Sequence, residues 1–336
     1  MIVRCYDLIG TTVSISAEDH DLLLPFETYL APFTCAGMPK SDFAIELGRA
    51  TSRAPPANAT MVFEGELALG APCTLSVTGT KSWLHAPGVL SIFSDQASAT
   101  TRIDVEDTLA SAAGSMAVLR VIDLALQAGR QALLHGAAFT APGAPNKTIL
   151  LFAPSGRGKT TTALALGLAG FGLITDDAIV LQNDRRGKPA RNLVWGLPRP
   201  LKVHENTAAL LPALAPCLTS VWDEFREQPI SLATLSQTVA ISSAALYAVP
   251  ACALIILGPR TTGAHILEPI AKADVLIELA ADNVRRRAEG MLDSDIWRFG
   301  RIASLVAALP CLRLQVGAPL ATLANVIGSA SRGWVS

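Results

Sequence analysis

Charge and aromatic side chains are scarce in this 336-residue chain: 16% of residues are Asp, Glu, Lys or Arg, 5% are Phe, Trp or Tyr, and the formal net charge is −1. The longest basic block is Arg285-Arg286-Arg287, so a nucleic acid, whose phosphates need a basic face, is not expected as a partner. Five histidines stand far apart, and six cysteines, at positions 5, 35, 73, 217, 252 and 311, form no Cys-x-x-Cys pair. Histidine or cysteine metal sites and a disulfide framework therefore lack support, and the thiols read as small buried hydrophobes in a reducing compartment. Hydrophobic residues make up 50% of the chain, yet no apolar run is long enough to span a bilayer. The longest, Ala244 to Gly258, is interrupted by Pro250 and reads as a buried strand. The first ten residues carry Arg4 and Asp7 where a signal peptide has its apolar core, so a cytoplasmic protein with no membrane partner is expected. Also missing are the Asn-Lys-x-Asp guanine motif and the Leu-Ser-Gly-Gly-Gln transporter signature.

What is present falls into two domains by length and pattern. From residue 1 to 107, short stretches alternate polar and apolar residues: Thr12 to Ile15, Phe43 to Leu47, Met61 to Leu69, Thr74 to Val77, Leu90 to Phe93 and Arg102 to Val105. Breaks rich in Gly, Pro, Ala and Ser separate them, which predicts a small antiparallel β-rich domain for recognition or scaffolding. Residues 108 to 336 mix helical and strand patterns and predict an α/β nucleotide-binding domain. It opens with a helix from Thr108 to Gln127, followed by a strand Ala132 to Thr140, a turn Ala141 to Lys147 and a second strand ending at Phe152. Later elements are strands at Ala178 to Gln182, Arg191 to Trp195, Leu246 to Leu257 and Cys311 to Val316, a helical segment Asp282 to Leu309 and a last helix Pro319 to Ser329.

The chemistry concentrates between 148 and 177. Apolar Thr148 to Phe152 precedes Ala153-Pro-Ser-Gly-Arg-Gly-Lys159-Thr160, a phosphate-loop pattern with Ala in place of its opening Gly, and a helix follows from Lys159 to about Ala169. Gly156 and Gly158 tolerate the backbone angles that turn successive N–H groups toward phosphate oxygens, aided by the positive end of the helix. Lys159 supplies a point charge for the β and γ phosphates and the Thr160 hydroxyl reaches Mg²⁺. Ser155, Arg157 and Thr161 complete the expected nucleotide contacts. Asp176 and Asp177 lie at the distance needed for the helix to end and the chain to return along a neighbouring strand. One carboxylate can hold Mg²⁺; the other can accept the proton of an acceptor hydroxyl, its basicity raised by the first. Weaker candidates are Arg199, Lys202 and Arg260, able to neutralise a transferring phosphate or bind an acidic acceptor. Taken alone, His135 between Leu134 and Gly136 reads first as a structural residue, the alternative being a strand alongside that of the phosphate loop that lets the ring orient Asp176.

The combination Leu-Leu-His135-Gly136, hairpin, phosphate loop, helix and Gly-Leu-Ile-Thr-Asp176-Asp177 resembles the HPr serine kinase/phosphorylase family and its related kinases, over about residues 132 to 182. The resemblance implies an HPr kinase/phosphoenolpyruvate-carboxykinase-like domain preceded by a small β-rich domain. It also implies ATP and Mg²⁺, with Asp176 as catalytic base, Asp177 and Thr160 near the metal, Lys159 on the phosphates, and His135 beside the aspartates. The family's Glu-x-Arg-Gly-x-Gly-like signature is replaced here by Asn192-Leu-Val-Trp-Gly-Leu-Pro-Arg199-Pro-Leu-Lys202, a departure that bears on phosphorylase activity and on HPr as substrate. The expected activity is transfer of the γ-phosphate to a serine of a small protein or peptide; some related kinases act on lasso-peptide precursors. A nucleotide-gated ATPase switch and a small-molecule kinase remain alternatives, and homo-oligomerisation is left open.

Overall fold

The computed structural model describes residues 1–334 other than 69, 107, 155, 184–191, 243–245 and 285–291. The chain is mixed α/β and divides into two compact units, Met1–Gln131 and the chain from Ala132 onward apart from 286–292.

In the first unit eight strands form one sheet: β1 (Ile2–Asp7), β2 (Thr12–Ala17), β3 (Phe43–Arg49), β4 (Thr60–Ala68), β5 (Ala71–Thr78), β6 (Lys81–Ala86), β7 (Leu90–Asp95) and β8 (Thr100–Val105), in the order β1-β2-β3-β8-β7-β6-β5-β4. The sheet is mixed where a purely antiparallel one was expected, because β3 runs parallel to both β2 and β8. A parallel neighbour requires a crossover, and the segment carrying helix α1 (Leu24–Leu30) provides it between β2 and β3. The expected strands are present; β1 and β6 went unread, β6 because Lys81, Ser82 and His85 break its apolar pattern.

Helix α2 (Ala112–Ala128) starts where the Ser111 hydroxyl accepts the Gly114 N–H. It closes this first unit instead of opening the second, so the division falls after Gln131 and not at the 107/108 boundary read from sequence. The tie is chemical: the buried Gln131 carboxamide donates to the Leu8 carbonyl and to Thr11 Oγ1 at 2.8 and 2.9 Å.

The second unit is built on strands β9 (Ala132–His135), β10 (Ala137–Ala141), β11 (Ala144–Phe152), β12 (Gly172–Thr175), β13 (Ala178–Asn183) and β14 (Asn192–Gly196), then β17 (Val249–Leu257), β18 (Ile266–Pro269) and β19 (Cys311–Gln315). Nine strands join in one sheet with the path β12-β10-β11-β17-β14-β13-β9, β19 pairing with β17 and β18. A separate ribbon pairs β15 (Leu201–His204) with β16 (Glu227–Ile230). Helix α3 (Lys159–Leu168) follows β11, and α4 (Glu205–Leu210), α5 (Leu232–Leu235), α6 (Lys272–Asn283), α7 (Asp293–Ala308) and α8 (Leu323–Ser331) complete the unit. Phe139, Ile149, Leu151, Ala253 and Ile255 join Ala163, Leu164 and Leu166 of α3 in one buried cluster. The alternate positions Ala138, Leu150, Phe152, Leu254 and Ile256 are buried as well. Covered on both faces, the central strands read as continuous apolar runs, as parallel-sheet strands do.

The strand expected over Ala132 to Thr140 is two. Gly136 breaks it, sending β9 to pair with β13 and β10 with β11 and β12. The broad turn expected at 141–147 shrinks, since β11 starts at Ala144, and the helical segment expected over Asp282 to Leu309 resolves into the end of α6 and a separate α7. None of the six cysteines is in a disulfide, Trp195 is fully buried, and among the described residues no helix is long and apolar enough to cross a membrane.

Candidate functional site

Strand direction gathers the site. β10 is antiparallel to both β11 and β12, and β11 is parallel to β17. The carboxyl ends of β11, β12 and β17 therefore share one edge of the sheet, where open α/β sheets bind ligands. The phosphate loop leaves β11 there, Asp176 and Asp177 follow β12, and Arg260 follows β17. His135 reaches the same place from β9, which pairs with β13 in the register Ala178↔His135.

Gly156 and Gly158 take left-handed backbone angles, φ +76° and +92°, which an L side chain resists. A Cβ on Gly158 would also stand 3.2 Å from an Arg260 guanidinium nitrogen. Beyond the loop, Lys159 opens α3 and is buried. Burial drives its ammonium below the usual lysine range, while the charges of Asp177, Asp282 and Asp176 oppose that drop. A buried cation at the positive end of a helix is unfavourable unless an anion is at hand.

Its neighbours form a chain of polar contacts. His135 Nδ1 lies 2.6 Å from Asp177 Oδ1, and His135 Nε2 lies 2.5 Å from Lys159 Nζ. With the ring proton on Nδ1 facing the carboxylate, Nε2 offers its lone pair to the ammonium. Arg199 donates to the other Asp177 oxygen at 2.5 Å. Burial works against ionisation of Asp177, but the His135 hydrogen bond and the charges of Arg199 and Lys159 outweigh it and hold the carboxyl near 2. Asp176 is the opposite case. Burial first, and the adjacent Asp177 charge second, raise it to about 6. Two adjacent carboxyls are thus driven apart, the pattern that separates acid–base roles.

Thr160 Oγ1 donates to Asp176 Oδ2 at 3.2 Å. Of the expected Mg²⁺ pair, Thr160 and Asp177, both Asp177 oxygens are already engaged, by His135 and Arg199, and the carboxylate that Thr160 touches is that of Asp176. The Thr160 hydroxyl oxygen beside a phosphate loop suits Mg²⁺, which fills its other positions with water and phosphate. Among the described residues no group of three or more His, Cys, Asp and Glu is arranged to hold a metal by itself.

A pocket of about 590 Å³ collects these groups: His135, Gly156, Gly158, Lys159, Thr160, Thr161, Asp176, Asp177, Arg199, Lys202 and Arg260 all line it. Arg157 is exposed and does not line it. Ser155 and Arg285 to Arg287 lie outside the described residues.

Sequence reasoning missed two sets. His204, Asn206, Thr207, Leu210 and Glu227 line the same pocket from β15, α4 and β16, and the end of α6 supports His135 from behind. There the Asn283 carboxamide oxygen accepts the His135 N–H at 2.7 Å, and an Asp282 oxygen stands 3.9 Å from His135 Nε2. No motif marks either set; only the polar residues at alternate positions Lys202 and His204 hinted at a strand with one face on a cavity. Comparison with protein-family models finds no match, and comparison with curated proteins finds none.

Proposed function

We propose that the second unit is an ATP-dependent kinase with an HPr kinase/phosphoenolpyruvate-carboxykinase-like domain, moving the γ-phosphate of ATP to a serine hydroxyl of a small protein or peptide, such as a lasso-peptide precursor. The observation that carries this reading is convergence. Lys159, Thr160, the split carboxyl pair Asp176 and Asp177, His135, Arg199 and Arg260 meet in one pocket from segments scattered along the chain.

ATP with Mg²⁺, when bound, supplies the transferable phosphoryl group and a cation that neutralises its charge. The loop around Gly156 and Gly158 presents backbone N–H groups to phosphate oxygens, and Lys159 exchanges its contact with His135 for the phosphates. That exchange gives the buried ammonium the anion it needs. Thr160 would hold the metal, with water and phosphate at its other positions, which leaves the Asp176 carboxylate free to act as a base. Asp176, with the higher proton affinity of the two carboxyls, takes the proton of the serine hydroxyl, while Asp177 stays ionised and anchors His135 and Arg199. Arg260, beside Gly158, and Lys202, at the rim, complete the positive lining. Phosphoryl transfer asks chiefly for positioning and charge stabilisation, and these residues supply both. Six cysteines outside any disulfide suit a reducing cytoplasm.

The test is incubation with γ-labelled ATP, Mg²⁺ and candidate acceptors, beginning with peptides encoded beside the gene. Label on a peptide serine is the expected outcome. Free phosphate alone would point instead to an ATPase or nucleotide-gated switch, and label on a metabolite to a small-molecule kinase.

A further inference from the structure

The stretch from Arg199 to Leu210 forms one wall of the pocket. At one end Arg199 grips Asp177. At the other, the Thr207 hydroxyl lies 2.7 Å from that of Thr161, in the first turn of α3 beyond Lys159 and Thr160. The wall therefore runs from the carboxylates to the flank of α3, and along it positive charge falls away: Arg199 and Lys202, then His204, Asn206 and Leu210. Lys202 is itself offset by Glu227 at 3.7 Å.

A triphosphate whose terminal phosphate sits at Lys159 and Thr160, beside the aspartates, must trail toward the neutral end. Three features there suit a flat heterocycle. Leu210 lines the pocket with 48% of its surface exposed. His204 Nδ1 accepts the Asn206 N–H at 3.1 Å, which fixes the ring and leaves Nε2 as a donor. The Asn206 carboxamide, exposed in the same lining, has no hydrogen-bond partner among the described residues. A carboxamide offers a donor and an acceptor side by side, the complement of adenine N7 and its exocyclic N6 amino group. Guanine would need a free acceptor for its N1–H and N2 amino group, and the carboxylate at this end, Glu227, faces Lys202.

We propose that this end of the pocket is the base site of the nucleotide, with His204 and Leu210 as its wall and Asn206 selecting adenine. The inference rests on the reading that the pocket takes a nucleoside triphosphate, and the experiment separates the two. Calorimetric titration of the full chain in Mg²⁺ buffer with ATP, GTP and inorganic tripolyphosphate is run on the wild type, Asn206→Ala and Leu210→Ala, both surface substitutions. Wild type should prefer ATP to GTP. Each substitution should weaken ATP about 3- to 10-fold, the worth of one hydrogen bond or a partly buried leucine, and leave tripolyphosphate unchanged. Asn206→Ala should also narrow the preference for ATP over GTP. Unchanged ATP affinity in both variants overturns the base site while leaving the triphosphate cradle standing, as does equal weakening of ATP and tripolyphosphate. A wild type that binds neither ATP nor tripolyphosphate overturns both readings.

Discussion

Asp176→Asn should make the protein more stable and inactive at once. The carboxyl is buried and its pKa rises from the usual 3.8 to about 6. Because the folded pKa exceeds the unfolded one, the folded state binds a proton that the unfolded chain has released, so stability falls as pH rises from about 4 to about 6 and stays lower above that. At about 1.4 kcal/mol per pH unit, the ionised carboxylate costs about 3 kcal/mol at pH 8 and about half that at pH 5. Asparagine has the same shape, carries no charge and can still accept the Thr160 hydroxyl through Oδ1. It removes the penalty without opening a cavity. Thermal melts should show the variant roughly 5–10 °C above wild type at pH 8, with an advantage that shrinks by about half at pH 5. The same preparation should bind ATP yet lose about 10²- to 10⁴-fold in transfer rate, the range for losing a general base. An Asp176→Asn variant no more stable than wild type at pH 8, or equally advantaged at both pH values, would refute the argument that buried charge at Asp176 is held against the fold for function.

Four further outcomes follow from the same geometry. Asp177→Asn, by contrast, should destabilise: its carboxyl is held near 2 by His135, Arg199 and Lys159, so it stabilises by about 2 kcal/mol above pH 4 and progressively less as pH falls toward 2. Urea midpoints at pH 7 and pH 3 should show the loss shrinking by about half. Gly158→Ala, at φ +92° and with its new Cβ 3.2 Å from Arg260, should cost about 1–2 kcal/mol of local strain and weaken ATP in an equilibrium-binding assay more than it lowers the melting temperature. Gly136→Ala would place a Cβ 2.7–2.8 Å from atoms of Phe152 and Ile179 and should cost about 1–3 kcal/mol by overpacking, read as a lower melting temperature. Lys159→Met should abolish ATP and tripolyphosphate binding in the same calorimetric cell while leaving the fold intact by circular dichroism, since a buried charge is replaced by an apolar chain of similar length.

The parts of this site that were legible in sequence are those whose chemistry is local. Glycines that must turn left-handed, a lysine and threonine opening a helix, and two aspartates closing the return strand form a continuous run, so spacing alone sets their reach. His135 is different. Its neighbours Leu134 and Gly136 say nothing of its partners; Gly136 matters because the chain there leaves one strand neighbour for another, and only the pairing of β9 with β13 and β10 with β12 puts the imidazole against Asp177. Asn283 and Asp282 were illegible for the same reason, since they contact His135 at a separation of more than a hundred residues. The divergent proton affinities of Asp176 and Asp177 also depend on depth: one side chain turns into the core and the other meets Arg199, a distinction that alternation along a strand allows but does not assign. In the first unit, the parallel placement of β3 between β2 and β8 is set by a crossover that periodicity does not record.

The central claim, phosphoryl transfer from ATP to a serine, is tested most directly by intact-mass and fragment mass spectrometry of candidate peptide acceptors after incubation with wild type or the Asp176→Asn variant, ATP and Mg²⁺. Wild type should add one phosphate, located on a serine, and the variant should add none in the same time. An acceptor modified equally by both proteins, or ATP consumed by wild type with only free phosphate formed, would contradict it.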